Sequence, residues 1–247
     1  GQTQHSTGVG NTRSMSIVQL LLGNIGVPGG QLAALRGEPN VQGCTDMCVS
    51  PGDMTGYLKW PVEGKDTSIA AYCENETAVD GYWSNTPKFL VSYLKSFFGD
   101  AATAENDYGY NWLPKVDNAG KRSLQNTWHL MEQGIVKGYM FFGQNPMQSQ
   151  ANASYYRRVA ENLDWLVFDD MYYTETAEFW KAPENKGRES EIKTECYFLP
   201  IASMFEKFGT VLNSGRVMQW RYKCTETRGN SKADSEVLML IHKKLVE

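Results

Sequence analysis

The chain has 247 residues, 41% of them hydrophobic and 21% charged, with a formal net charge of −4. That length can bury one large core or two small ones, and the composition is ordinary for a globular protein. The negative balance argues against a basic nucleic-acid surface, and no apolar run approaches the roughly 20 residues of a membrane span.

The opening Gly1-Gln-Thr-Gln4-His5-Ser-Thr-Gly8 is polar loop chemistry just before a helix amino end, a place that favours anionic groups. With no initiator methionine, signal peptide or lipidation motif, the chain is expected to be an internal stretch of a longer polypeptide. His5 has no visible partner and is assigned no catalytic role. Met15, Val18, Leu21 and Leu22 then fall at helical spacing, with Asn11 a candidate cap and Gly23 a left-handed stop. Five more glycines, through Gly43, and two prolines follow. This backbone turns repeatedly and can approach a ligand closely. One guanidinium, Arg36, sits in the middle of it.

Residues 47 to 85 carry turn signals at Pro51-Gly52-Asp53, Thr55-Gly56 and Pro61. Interleaved aromatic residues mark this stretch as an ordered surface segment packed on a neighbour. Thr86-Pro87 opens a helix with Leu90, Leu94 and Phe97 as its buried stripe, stopped by Gly99. Residues 100 to 122 read as loop. A helix is expected from Ser123 to Gln133, ended by Gly134. Tyr139 to Phe142 is a continuously apolar run of the kind a buried parallel strand shows, and it enters Gly143-Gln144-Asn145-Pro146. Another helix spans about 152 to 162, with Tyr155, Val159 and Leu163 on one face. Trp165 to Phe168 is a second buried strand, ending in Asp169-Asp170. Strand, helix, strand is a β-α-β unit, whose ligands lie outside the carboxyl ends of the strands. Asn145, Asp169 and Asp170 are delivered to that edge.

Residues 181 to 195 read as a charged, solvated excursion, and apolar character returns from Cys196 to Phe208. A looped segment with Arg216 and Arg221 is expected up to Trp220. Asp234 caps a final helix whose Val237, Ile241 and Leu245 face inward. The five cysteines, Cys44, Cys48, Cys73, Cys196 and Cys224, are odd in number and irregular in spacing. They complete no zinc or iron–sulfur pattern and are read as packing or free thiols.

The string from Gly23 to Asp46, with Arg36 at its centre, resembles the middle of the large, catalytic subunit of formate dehydrogenases. The resemblance runs from Gly1 to about Trp220. It implies an α/β fold of Rossmann-like three-layer units with a largely parallel sheet, within a multidomain subunit. Residues 1–38 would finish one such domain, 39–199 form most of a second, and 200–247 return to a further domain. It also implies molybdenum or tungsten held by two molybdopterin guanine dinucleotides.

Arg36 matches the substrate-orienting arginine, whose planar fork fits the carboxylate of formate. Asn145, Ser149, Asp169 and Asp170 match the guanosine site of one dinucleotide, with Thr174 beside it. A carboxylate there can accept from the N1–H and amino group of guanine, a donor pair that adenine lacks. Gln4 matches a cofactor-contacting glutamine, and its amide can donate to a pterin or phosphate oxygen. Glu38 falls among the cofactor contacts where relatives carry glutamine or histidine, and an acid there needs a proton or a cation partner. The resemblance places the metal-ligating cysteine or selenocysteine, its neighbouring histidine and the 4Fe-4S domain upstream of the matched region, so the fragment alone would be inactive. It gives Arg216 no role, because Val211 to Arg216 aligns only loosely.

The implied partners are formate, the rest of the catalytic subunit and an iron–sulfur electron-transfer subunit, with no nucleic acid and no direct membrane span. The tryptophan-rich region around Trp165, Trp180 and Trp220 resembles periplasmic, respiratory-type members, a cytoplasmic enzyme being the alternative. Two other readings stay open: another bis-pterin oxidoreductase such as a nitrate reductase relative, and a cofactor-free structural module. A nicotinamide Rossmann domain is disfavoured, since no G-x-G-x-x-G opens a helix after a strand.

Overall fold

A computed structural model describes residues 1–49, 52–117, 123–215 and 217–247. The expected turn at Pro51, the last part of the 100–122 loop and Arg216 lie outside the described residues. The elements are α1 (Gly8–Leu21), α2 (Val41–Asp46), α3 (Ile69–Glu76), α4 (Thr86–Phe98), α5 (Leu124–Glu132), β1 (Gly138–Phe142), α6 (Pro146–Ser149), α7 (Ala153–Ala160), β2 (Trp165–Asp170), β3 (Glu195–Pro200), β4 (Gly209–Leu212), β5 (Met218–Arg221) and α8 (Asp234–Val246). They form two compact units. One comprises Gly1–Val116 with Thr210–Arg221, the other Asp117–Gly209 with Tyr222–Glu247. These units follow contacts within this chain, whereas the expected 1–38, 39–199 and 200–247 segments rest on the resemblance alone.

In the first unit α1 starts at Gly8, with Thr7 before it, rather than after Asn11. Gly8 permits that start: a Cβ there would lie 2.5 Å from the Gln2 carbonyl oxygen of the preceding turn. Gly23 ends the run at φ +65°, as its lack of a side chain allows. The apolar residues of α1 stay open to solvent in this chain, Leu21 at 82% exposure.

The core of this unit gathers Leu90 and Leu94 of α4 with Met54, Leu58, Tyr72, Tyr110 and Leu113. Phe97 does not join it. It is 61% exposed and lies against Tyr93 at 4.5 Å between ring centroids. Polar bonds order the irregular stretch before α4. The buried Asp66 carboxylate accepts from the Val62 amide and the Asn75 side chain, both at 2.8 Å, and the Tyr110 hydroxyl donates to the Asp66 carbonyl at 2.9 Å. Ser68 caps α3, its Oγ accepting from the Ala71 amide.

The second unit is built on a parallel sheet in the order β1-β2-β3, with Phe142 opposite Asp169 and Asp170 opposite Pro200. The α/β class and parallel pairing agree with the expectation. β3 is a strand where the pattern showed only returning apolar character. Trp128 and Met131 of α5 pack with Phe141, Leu166 and Phe168 from the sheet. Trp128 stacks on Phe141 at 5.9 Å and meets Tyr156 edge-on at 4.6 Å.

α7 buries Tyr156, Val159 and Ala160, with Tyr155 half-buried against the same core and Leu163 buried just beyond its end. The charged 181–195 stretch is tied down rather than a free excursion. Buried Asn185 donates to the Phe179 carbonyl at 3.1 Å, and Arg188 grips Glu161 with two bonds of 2.8 and 3.2 Å. The segment expected to be looped after Gly209 instead pairs β4 with β5. On α8, Val237 is buried and Ile241 half-buried, but Leu245 is 80% exposed. Among the described residues no helix is long and apolar enough to cross a membrane.

Candidate functional site

At the carboxyl edge of the second unit's sheet, β1 runs into Gly143, which turns at φ +58° and donates its amide to the Asp169 carbonyl at 2.8 Å. Pro146 then opens α6, and the Asn145 carbonyl accepts from the Ser149 amide at 2.9 Å. The Asn145 side chain reaches across to the loop after β2. Its Oδ1 accepts from the Thr176 amide at 3.1 Å and the Thr176 hydroxyl at 2.6 Å, and its Nδ2 donates to Glu175 Oε2 at 2.6 Å. Thr176 is fully buried, and its Oγ1 accepts from the Met147 amide at 3.1 Å.

Asn145 therefore fastens the two loops of the edge together, and its amide has little left for a ligand. Thr176 and Glu175 are partners that sequence reasoning missed. They lie 31 and 30 positions away from Asn145, and nothing local in the pattern connects them. The Glu175 carboxyl is held below its ordinary value by its own backbone amide first and by Asn145 second. Ser149 is exposed and Thr174 half-buried, and neither hydroxyl is bonded among the described residues.

The two aspartates at this edge differ sharply. Asp170 is half-buried, and its Oδ1 accepts from the Met171 and Tyr172 amides at 2.7 and 3.3 Å, leaving Oδ2 unbonded among the described residues. Asp169 alternates to the face of β2 opposite Phe168 and is fully buried, and neither carboxyl oxygen has a hydrogen-bond partner among the described residues. Its carboxyl is pushed up to about 6, chiefly by burial and then by the charge of Asp234. Lys207 opposes this, and Asp170 adds to it. Lys207 also donates to Asp234. Asp170 thus keeps an open carboxylate oxygen at this edge, whereas full burial shields Asp169 from solvent.

The second cluster of expected site residues lies in the first unit. Gly26 and Gly29 turn at φ +85° and +81°, and a Cβ on Gly30 would sit 2.2 Å from the Asn24 carbonyl. The glycines are what allow this backbone to close. The chain then extends along a cavity of about 680 Å3 walled by residues 31–36, 38–42, 211–215 and 217. Arg36 stands on that wall. Its Nε donates to Ser214 Oγ at 3.2 Å and its Nη2 to Gln42 Oε1 at 3.3 Å. Nη1 makes no hydrogen bond among the described residues.

Gln42 and Ser214 are further residues that the sequence did not reveal. Glu38 is exposed on the same wall and pairs with no cation among the described residues, so this chain alone does not supply the partner an acid there needs. Gln4 is exposed on a short turn before α1, its Oε1 accepting from the Gly1 amino group at 2.8 Å. All five cysteines are free thiols. Among the described residues no group of three His, Cys, Asp or Glu is placed to hold a metal ion.

No protein-family model matches the chain. It is similar to the formate dehydrogenase 2 subunit alpha (cytochrome c-553) of Nitratidesulfovibrio vulgaris, 44% identical over 92% of this chain and 23% of that protein. It is 41% identical to the formate dehydrogenase-O major subunit of Escherichia coli, over 99% of this chain and 25% of that subunit. A third relative, the formate dehydrogenase subunit alpha of Megalodesulfovibrio gigas, is 41% identical over 99% of this chain and 24% of its own length. The chain spans about a quarter of the length of the curated relatives it matches, and over that quarter it is homologous to formate dehydrogenase alpha or major subunits.

Proposed function

We infer, from homology along almost the whole chain to a quarter of formate dehydrogenase alpha subunits, that these residues are the substrate- and pterin-dinucleotide-contacting portion of a formate-oxidising catalytic subunit. The observation that carries the reading is Arg36, in a chain of that homology: a guanidinium fastened on its Nε and Nη2 side, with Nη1 unbonded beside a cavity. A bidentate guanidinium contact suits the smallest carboxylate. Formate loses a proton and two electrons in becoming carbon dioxide, and Arg36 holds the carboxylate oxygens throughout. When bound, a molybdenum or tungsten ion on two molybdopterin guanine dinucleotides would supply the two-electron redox chemistry, with 4Fe-4S clusters expected elsewhere in the enzyme.

The sheet edge of the second unit fits the guanosine end of one dinucleotide through Asp170, whose open Oδ2 can accept from guanine donors. Ser149 and Thr174 stand by with unbonded hydroxyls. Asn145 acts by positioning, holding the 174–176 loop in place. Asp169 brings two buried oxygens that lack donors, and while fully covered it supports the edge through its carbonyl bond to Gly143. Gln4 offers an amide to a pterin or phosphate oxygen. Glu38 fits less well, as an uncompensated acid beside an anionic ligand. The 1–38, 39–199 and 200–247 domain plan, the iron–sulfur partner subunit and a periplasmic location belong to the same proposal.

The competing reading is a nitrate reductase relative, which shares the guanosine edge but has no need of Arg36. The longer enzyme is expected to reduce an artificial electron acceptor with formate and to leave nitrate unreduced. Nitrate turnover without formate turnover would favour the competitor.

A further inference from the structure

We propose that Gln42 and Ser214 are positioning residues for Arg36, clamping the inner side of its guanidinium so that the outer side meets the cavity as a fork for a small carboxylate. The proposal rests on the reading of Arg36 as the formate-binding cation. Arg36 is exposed, and a free arginine side chain samples many rotamers, an entropy that a productive pose has to overcome. Two acceptors from distant parts of the chain reduce that freedom before any ligand arrives.

The clamp is directional because each acceptor has its own donor committed elsewhere. Gln42 Nε2 donates to the Tyr57 hydroxyl at 2.6 Å and to Asp46 Oδ1 at 3.0 Å, and the Tyr57 hydroxyl donates to the same Asp46 oxygen. A flipped amide would set its NH2 against the Arg36 N–H groups and its oxygen against the Asp46 carboxylate, so this network fixes Oε1 toward Arg36. Ser214 repeats the logic. Its hydroxyl proton goes to the Ala34 carbonyl at 3.0 Å, which leaves oxygen lone pairs for Arg36 Nε.

Both clamping groups are also neutral. Asp46 bonds to Gln42 rather than to Arg36, so the guanidinium is oriented without an acid in direct contact that would compete with an anionic substrate. A glutamine can orient Arg36 and leave its charge available, and a glutamate in its place cannot.

The test uses the longer, cofactor-loaded enzyme. Gln42→Ala is expected to raise the formate KM by ~10-fold with kcat changed by less than ~3-fold, the signature of weakened binding rather than altered chemistry. Gln42→Glu, nearly the same shape, is expected to raise KM by ~100-fold by neutralising Arg36 at close range. Ser214→Ala raises KM a few-fold, and Ser214→Thr, which restores the hydroxyl, brings it back.

A second readout does not depend on turnover. Modification of Arg36 by phenylglyoxal, followed by peptide mass, is blocked by formate in the unaltered enzyme and far less in Gln42→Glu. Unchanged formate KM in Gln42→Ala and Ser214→Ala, with Arg36→Ala still strongly impaired, would overturn the clamp and leave the role of Arg36 standing. Should Gln42→Ala fail to fold, the Ser214→Ala and Ser214→Thr pair decides alone. If Arg36→Ala itself turns over formate normally, the underlying reading fails first.

Discussion

Arg36→Ala in the longer enzyme is expected to lower kcat/KM for formate by roughly 30- to 3,000-fold. Truncating one partner of a desolvated, hydrogen-bonded charge pair costs about 2–5 kcal/mol, and each 1.4 kcal/mol is a factor of about ten. The upper part of the range applies if closure of the full subunit removes water from the cavity. Formate has only its carboxylate and one C–H to be recognised by, so no other contact can compensate. Arg36→Lys keeps the charge but loses the planar fork and the bond from Nε to Ser214, and should recover only part of the loss. Steady-state kinetics with formate and an artificial acceptor measure this directly, and a kcat/KM within about threefold of the unaltered enzyme would remove Arg36 from the site.

The second large effect concerns Asp169, where stability and ligand binding are linked. Its carboxyl sits fully buried without a donor among the described residues and is pushed up to about 6 from an ordinary 3.8. The folded state therefore holds this proton more tightly than the unfolded chain does. Stability falls as pH rises from about 4 to above 6, and the loss is complete at pH 7.5. Asp169→Asn removes the titration and resembles the protonated acid in shape. It is expected to stabilise the cofactor-free protein by on the order of 1–3 kcal/mol at pH 7.5 and to change it little near pH 4.

Urea unfolding of both forms across that range checks the sign, and a difference that does not vary with pH would contradict it. Repeating the comparison with cofactor bound adds a second reading. Donors from a guanine on the Asp169 oxygens would stabilise the ionised form and reverse the effect of the substitution.

What the sequence revealed and what it concealed divide along the range of the interactions. α4, α5, β1 and β2 were legible because capping residues, stop glycines and apolar periods act over a few positions. The turns before Arg36 were legible because glycine is the residue that such backbone requires. β3 was not, since Glu195-Cys-Tyr-Phe-Leu-Pro200 has no flanking turn signal and takes its place from pairing with β2.

The partners of Asn145 and Arg36 were hidden for the same reason. Thr176 is 31 positions from Asn145, and Ser214 is 178 from Arg36. The adjacent Asp169 and Asp170 look equivalent in sequence, yet strand alternation sends their side chains to opposite faces, and only Asp169 is fully buried. Periodicity likewise marked the apolar residues of α1 and the expected inner face of α8 without identifying a partner, and Leu21 and Leu245 are exposed in this chain.

Metal and nucleotide analysis of the longer enzyme, purified without air, tests the central claim most directly. Molybdenum or tungsten with about two guanine nucleotides released per metal is the expected result. Folded protein that holds neither metal nor guanine would contradict the cofactor-binding role and leave these residues as a structural module.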